Sequence, residues 1–154
     1  SSIIADGWGE RWIFEHGIAT YTPNPRVVEF ALRKLGVKVG NGECWTLADE
    51  ALGFANARRP GLEGRDVFNF GNEVTGQSLV AGDIVQLFDA RVDYPDGSWS
   101  TFIPQHTAVI EWAIGKQLGV LHQNVAGDKK VQRGLIDLNY LTRGTYRIYR
   151  SVAR

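Results

Sequence analysis

Apolar positions fall into two regimes along this chain, helical spacing early and strand-like runs later. From Arg26 to Leu35, Val27, Phe30, Ala31 and Lys34 share one helical stripe with Val28, Leu32 and Leu35 beside it, and Gly36 supplies a C-terminal stop. A second helical period, Leu47, Ala48, Ala51, Leu52 and Ala55, runs behind Cys44, and Asn41 between Gly40 and Gly42 makes a turn just ahead of it. A loop from Arg58 to about Gly76 follows, punctuated by Pro60, Gly61, Gly64 and Gly71. Ala81-Gly82-Asp83 then reads as a turn, tied by its Asx residue, leading into a strand from Ile84 to Phe88. Asp93 to Ser100 reads as an exposed loop. Thr107 to Trp112 and Gly119 to Val125 read as strands joined around Gly115-Lys116, and Tyr146 to Tyr149 closes the set. Helices first and strands afterwards predict an α+β fold, with the helices packed on one face of an antiparallel sheet. Ahead of them lies a segment rich in aromatics (Trp8, Trp12, Phe14, Tyr21) that ends in the breaker cluster Thr22-Pro23-Asn24-Pro25. The expected division is an N-terminal arm, residues 1–25, packed over a domain of residues 26–154.

Size and charge narrow the classes of function. The chain has 154 residues, enough for one domain with a real core. Its 17 basic and 17 acidic residues balance, so no broad attraction to nucleic acid or to an anionic membrane is expected. No apolar run approaches bilayer length, so membrane insertion is not expected either. One cysteine excludes an intramolecular disulfide framework. The chain starts Ser1-Ser2 and contains no methionine, which leads to the expectation of either a secreted mature form or a domain excised from a longer protein.

The single cysteine carries the candidate chemistry. A thiol in a first helical turn faces unpaired backbone N–H groups and the positive end of the helix dipole, both of which favour the nucleophilic thiolate. Such a nucleophile needs an imidazole within hydrogen-bond reach and a polar group to hold the ring. Of the three histidines, His16 lies in the arm, where a surface or packing role is expected. Period two places His106, Ala108 and Ile110 on one face of their strand. On the neighbouring strand it places Val120, His122 and Asn124 on one face and Gln123 on the other. The hairpin register decides which set meets His106. A two-residue Gly115-Lys116 turn favours Gln123, and a three-residue connection favours His122 and Asn124. Neither zinc-ligand spacing nor a phosphate-binding glycine loop is present in the sequence, so chemistry without metal or cofactor is expected.

Gly42-Glu43-Cys44-Trp45 at a helix head, Ala81 to Val85 entering a strand, and His106-Thr107-Ala108-Val109-Ile110 with a polar strand end after it resemble the CHAP and NlpC-like peptidases. The resemblance runs from about Arg26 to Tyr149 and implies a papain-like cysteine peptidase fold, with the chain order cysteine, histidine, third polar residue. CHAP members often carry an acid followed two residues later by asparagine at the third position, and NlpC-like members a histidine. Both patterns fall on His122 and Asn124. The resemblance therefore implies Cys44 as nucleophile, His106 as general base, His122 as the group orienting its ring, and Asn124 assisting. The implied activity is thiol-dependent hydrolysis of a peptide or amide bond, cell-wall peptide among the substrates, through an acyl-enzyme intermediate. The Cys44 N–H would supply one oxyanion donor and Asn41 or another loop group the second, Trp45 would wall the cleft, and Trp99 with Tyr94 and Phe102 would line a substrate groove. The chain also resembles the cysteine-proteinase-fold domain of fungal actin-patch proteins. That likeness implies the alternative, a non-catalytic interaction module that retains the fold and meets a protein partner through exposed aromatics of the arm and of the Asp93–Ser100 loop.

Overall fold

The computed structural model describes residues 2–5, 11–15, 18–62 and 67–154, with side chains over 22–61 and 67–154. Three short strands open the chain, β1 (Ser2–Ala5), β2 (Arg11–Glu15) and β3 (Ile18–Thr22), paired as an antiparallel meander. Trp8 and His16 lie outside the described residues, and so do the side chains of Trp12, Phe14 and Tyr21.

Helix α1 (Asn24–Arg33) starts two residues earlier than its apolar stripe suggests, because Pro25 suits a first helical turn. Helix α2 (Cys44–Phe54) begins at the cysteine itself. Asn41 fixes that start. Its side-chain oxygen accepts from the Glu43 N–H at 3.0 Å and from the Thr46 hydroxyl at 2.7 Å. The loop beyond α2 holds β4 (Gly61–Leu62) and β5 (Phe68–Asn69) as a two-stranded pair. The main sheet follows, formed by β6 (Asn72–Glu73), β7 (Ile84–Asp93), β8 (Trp99–Ile114), β9 (Gln117–His122), β10 (Gln132–Asp137) and β11 (Leu141–Arg150). Its order is β10-β9-β8-β7-β11-β6, antiparallel at every pairing. The fold is α+β, as the pattern predicts.

The strands run longer than their apolar cores. β8 has 16 residues and starts eight residues before the expected strand, taking Trp99 and Ser100 from the expected loop, so that β7 and β8 form one hairpin closed over residues 94–98. The sheet has two buried faces. Ile84, Val109, Leu121 and Tyr149 pack with Val27, Ala31, Leu47, Ala48, Ala51 and Leu52 of the helices. Val85, Leu87, Ala108, Ile110, Val120 and Ile148 form a second core with Leu138, on the opposite face. At about 1.5–3 kcal/mol for each fully buried large aliphatic side chain, either cluster is a major source of stability. The tip of the β7–β8 hairpin also reaches the outer strand, where the Tyr94 hydroxyl donates to Leu135 O at 3.3 Å and accepts from Asp137 N at 3.4 Å.

A buried polar cluster ties the first helix to the sheet. Asp83, fully buried, accepts from Arg150 Nε at 3.0 Å and Nη2 at 2.9 Å, from Asn24 Nδ2 at 2.8 Å and from Val80 N at 2.9 Å. Asn24 in turn accepts from the backbone N–H of Ser151 at 3.1 Å and from its hydroxyl. Gly82, at φ +87°, is required there, since a Cβ would stand 2.3 Å from Asn24 O. Asp83 does more than close a turn; it joins α1, the β7 turn and the end of β11. Among the described residues no helix is long and apolar enough to cross a membrane.

Candidate functional site

Strand β9 ends at His122 while β8 continues past it toward Trp99, and a cleft of about 360 Å³ opens in the gap. Glu43, Cys44, Phe102, Gln105, His106 and Asn124 are among the residues that line it. Cys44 and His106 therefore share one cleft. No hydrogen bond joins them among the described residues.

The hairpin register explains the placing of the histidines. The turn has two residues, with Ile114 opposite Gln117, which by itself would bring Gln123 to the His106 face. Between Trp112–Gly119 and Ile110–Val120 the register shifts by one, because Glu111 is an extra residue on β8. The bulge restores the arrangement a three-residue connection would have made. His122 Nδ1 lies 2.9 Å from His106 Nε2, their rings edge to face, and Phe102 stacks on the other side of His106 at 5.1 Å. Gly134 makes room for the pair, since a Cβ there would come within 2.5 Å of His122 Nε2.

The same alternation keeps the thiol apart from that pair. His106 sits opposite Leu87 and on the side of Ala108 and Val120, the core face away from the helices. The sulfur instead meets the residues on either side of His106. Gln105 Nε2 donates to Cys44 Sγ at 3.4 Å, and the N–H and hydroxyl of Thr107 also face the sulfur. Burial pushes the thiol above its ordinary pKa, against the opposing pull of the Thr107 N–H, the Gln105 amide, the Trp45 N–H and the Thr107 hydroxyl. Burial likewise lowers His106 to about 3, with its neighbour His122 adding to the effect, and lowers His122 to about 4. At neutral pH the site holds a thiol and two neutral imidazoles rather than a thiolate–imidazolium pair.

Gln123, on the helix side, is fully buried and clamps the approach to α2. Its Oε1 accepts from Val39 N at 3.0 Å, and its Nε2 donates to Val39 O at 3.0 Å and Glu43 O at 2.8 Å. Asn124 reaches the cleft with φ +61° and donates to Glu43 Oε2 at 3.4 Å rather than to His106. Lys129 Nζ lies 3.6 Å from the other Glu43 oxygen. Four residues expected around substrate lie outside the cleft lining, Tyr94 among them, its hydroxyl bonded to Leu135 O and Asp137 N. Asn41 is turned to the α2 start, Trp45 stacks on Phe68 at 4.9 Å, and Trp99 carries the Arg91 guanidinium over its ring at 4.5 Å. Gln105 and Thr107, which do touch the thiol, are not among the residues expected at the site; the signal that points to them is that both flank His106 as polar residues. Among the described residues no three His, Cys, Asp or Glu side chains converge as a metal site requires.

Residues 19–154 match the family described as the AIM3/BBC1 Cysteine proteinase-fold domain. The chain is 33% identical over 141 residues to Altered inheritance of mitochondria protein 3 of Debaryomyces hansenii, covering 80% of this chain and 15% of that protein. It also resembles the crystal structure of Ly7917, with TM-score 0.55 and 22% identity over 84% of this chain and 62% of that one. The crystal structure of Ly7917 with the hydrolyzing product of MDP is similar at TM-score 0.54 and 21% identity, over 81% of this chain and 61% of that one. At such identity the likeness to Ly7917 is one of fold. The chain thus spans about 15% of the length of the curated relative and under two thirds of the Ly7917 chain.

Proposed function

This chain belongs to the AIM3/BBC1 cysteine proteinase-fold family, and from that premise we propose that it acts as a protein-interaction module on a peptidase scaffold. One observation carries this reading. The Cys44 sulfur is engaged by Gln105 and Thr107, and among the described residues no hydrogen bond joins it to either ring nitrogen of His106. A cysteine nucleophile works as a thiolate with a base in reach. Here burial holds the thiol neutral and no base touches it. The match to Altered inheritance of mitochondria protein 3 supports the same assignment.

A second reading, an amide hydrolase, is favoured by one specific contact. The 2.9 Å bond between His106 and His122 is the ring-orienting link that a triad needs, and His106 opens on the cleft that holds Cys44. In that reading Cys44 attacks, His106 moves the proton and His122 holds the ring, with Asn124 beside them, once His106 has swung to the sulfur. Incubation with a mixed pool of peptides and amides, followed by mass spectrometry of the wild type against Cys44→Ala, separates the two. The module reading predicts identical product profiles. Products that vanish with Cys44→Ala would establish the hydrolase instead.

A further inference from the structure

β8 is paired with β7 from Trp99 through Val109, but with β9 only from Val109 to Ile114. Its first half therefore has one open edge. Backbone groups of a strand point alternately to its two sides. Ile110 N donates to Asp83 O at 2.8 Å, and Tyr94 N donates to Ser98 O at 2.8 Å, both within the β7–β8 pairing. Counting by twos from these bonds turns the backbone N–H and C=O of Thr101 and Gln105 away from β7. Thr107 follows the same count, and its outward N–H is the one that faces the Cys44 sulfur. Residues 101–105 form one wall of the cleft, facing residues 124–126, and no described group pairs with their outward edge.

An open row of backbone donors and acceptors is matched by another backbone. Resting on the module reading, we propose that an extended polypeptide segment of a partner protein adds to β8 as a further strand along Thr101–Gln105. A bulge lies between Phe102 and Gln105, so the edge offers its outward groups in two places, at Thr101 and at Gln105. Ile103, 59% exposed and part of the cleft lining, offers apolar contact to alternate side chains. The cleft carries no unbalanced charge. Its histidine is neutral at pH 7, and Glu43 is already met by Lys129 at 3.6 Å and Asn124 at 3.4 Å. The segment that fits is therefore uncharged, with apolar residues at every second position. The β10 edge differs, since the Tyr94 hydroxyl already occupies groups of Leu135 and Asp137.

The test is selection of displayed random peptides on the intact chain, then affinity measurement of the retained peptides by fluorescence anisotropy. Thr101→Pro removes an outward donor that the β7 pairing does not use. We expect it to weaken the peptides about tenfold, as loss of one net hydrogen bond and a blocked edge would. N-methylation of the peptide at alternate backbone positions leaves the protein untouched and should reproduce that loss in one phase of the alternation only. Amide exchange should slow at Thr101 and Gln105 when peptide is bound. Peptides that bind with unchanged affinity to Thr101→Pro, tolerate N-methylation in both phases and protect other amides would overturn the edge while leaving the module reading intact. Failure to retain any peptide would overturn it too. Cys44-dependent cleavage of the retained peptides would instead overturn the module reading.

Discussion

The Asp83 cluster and the Cys44 cleft are both buried and polar, yet they solve the problem of burial in opposite ways. Asp83 is paired with Arg150, and its side chain accepts four hydrogen bonds, from Asn24, Val80 and Arg150. A buried charge is tolerable only when paired and satisfied in this manner. Around Cys44 no charge is balanced in the interior. The thiol and both imidazoles avoid the cost by remaining neutral, and they are divided between the two faces of one strand. The first cluster holds elements together. The second leaves a cleft whose polar groups are quiet.

The sharpest way to break this contrast is to remove the charge that the first cluster depends on. Asp83→Ala leaves the Arg150 guanidinium without its carboxylate and takes from the Asn24 amide one of its two acceptors, Ala81 O being the other. Its cost is about 3–5 kcal/mol, a large share of a domain's total of roughly 5–15 kcal/mol. Denaturant unfolding measures it directly. Gln123→Ala is the counterpart beside the cleft. It strips the Val39 N–H of its partner and leaves Val39 O and Glu43 O with only the Gly42 and Thr46 N–H groups, and its cost is about 2–3 kcal/mol in the same experiment. A loss much below 1 kcal/mol would show that the loop before α2 holds its shape unaided.

A smaller effect per step comes from pH. His106 and His122 have folded pKa values of about 3 and about 4, below the ordinary value near 6.5. Below pH 6.5 the unfolded chain takes up protons that the folded chain refuses. Their stability contribution is therefore complete above that pH and is lost as pH falls toward the folded values. Each histidine adds up to about 1.4 kcal/mol per pH unit to the decline. Unfolding free energies from pH 7 to 5, compared with those of a His106→Gln, His122→Gln double variant, isolate this slope. Equal slopes would mean that the pair is protonated inside the fold.

Parts of this contrast are legible in the sequence. Gly40, Asn41 and Gly42 ahead of an unbroken small-residue period mark the helix that starts at Cys44, and Ala81-Gly82-Asp83 marks the turn into β7. Local chemistry sets both features. The length of β8 is hidden because Pro104 interrupts the pattern, and that proline is tolerated at a bulge where Phe88 and Ala90 of β7 face Gln105 and Phe102. The face that meets His106 is hidden for a related reason. The two-residue turn is readable, but the bulge at Glu111 that reverses its consequence depends on how the whole sheet coils. The separation of Cys44 from His106 follows from tertiary placement of α2 against β8, although Gln105 and Thr107 on both flanks of His106 do announce a polar second face.

The most direct test of the central claim, a neutral and unassisted thiol, is the rate of Cys44 alkylation by iodoacetamide from pH 4 to 9, for the wild type and for His106→Ala. Slow labelling that rises only toward the alkaline end is expected, with the same profile in the variant. Fast labelling below pH 7 that disappears in His106→Ala would contradict it and establish a working thiolate–imidazole pair.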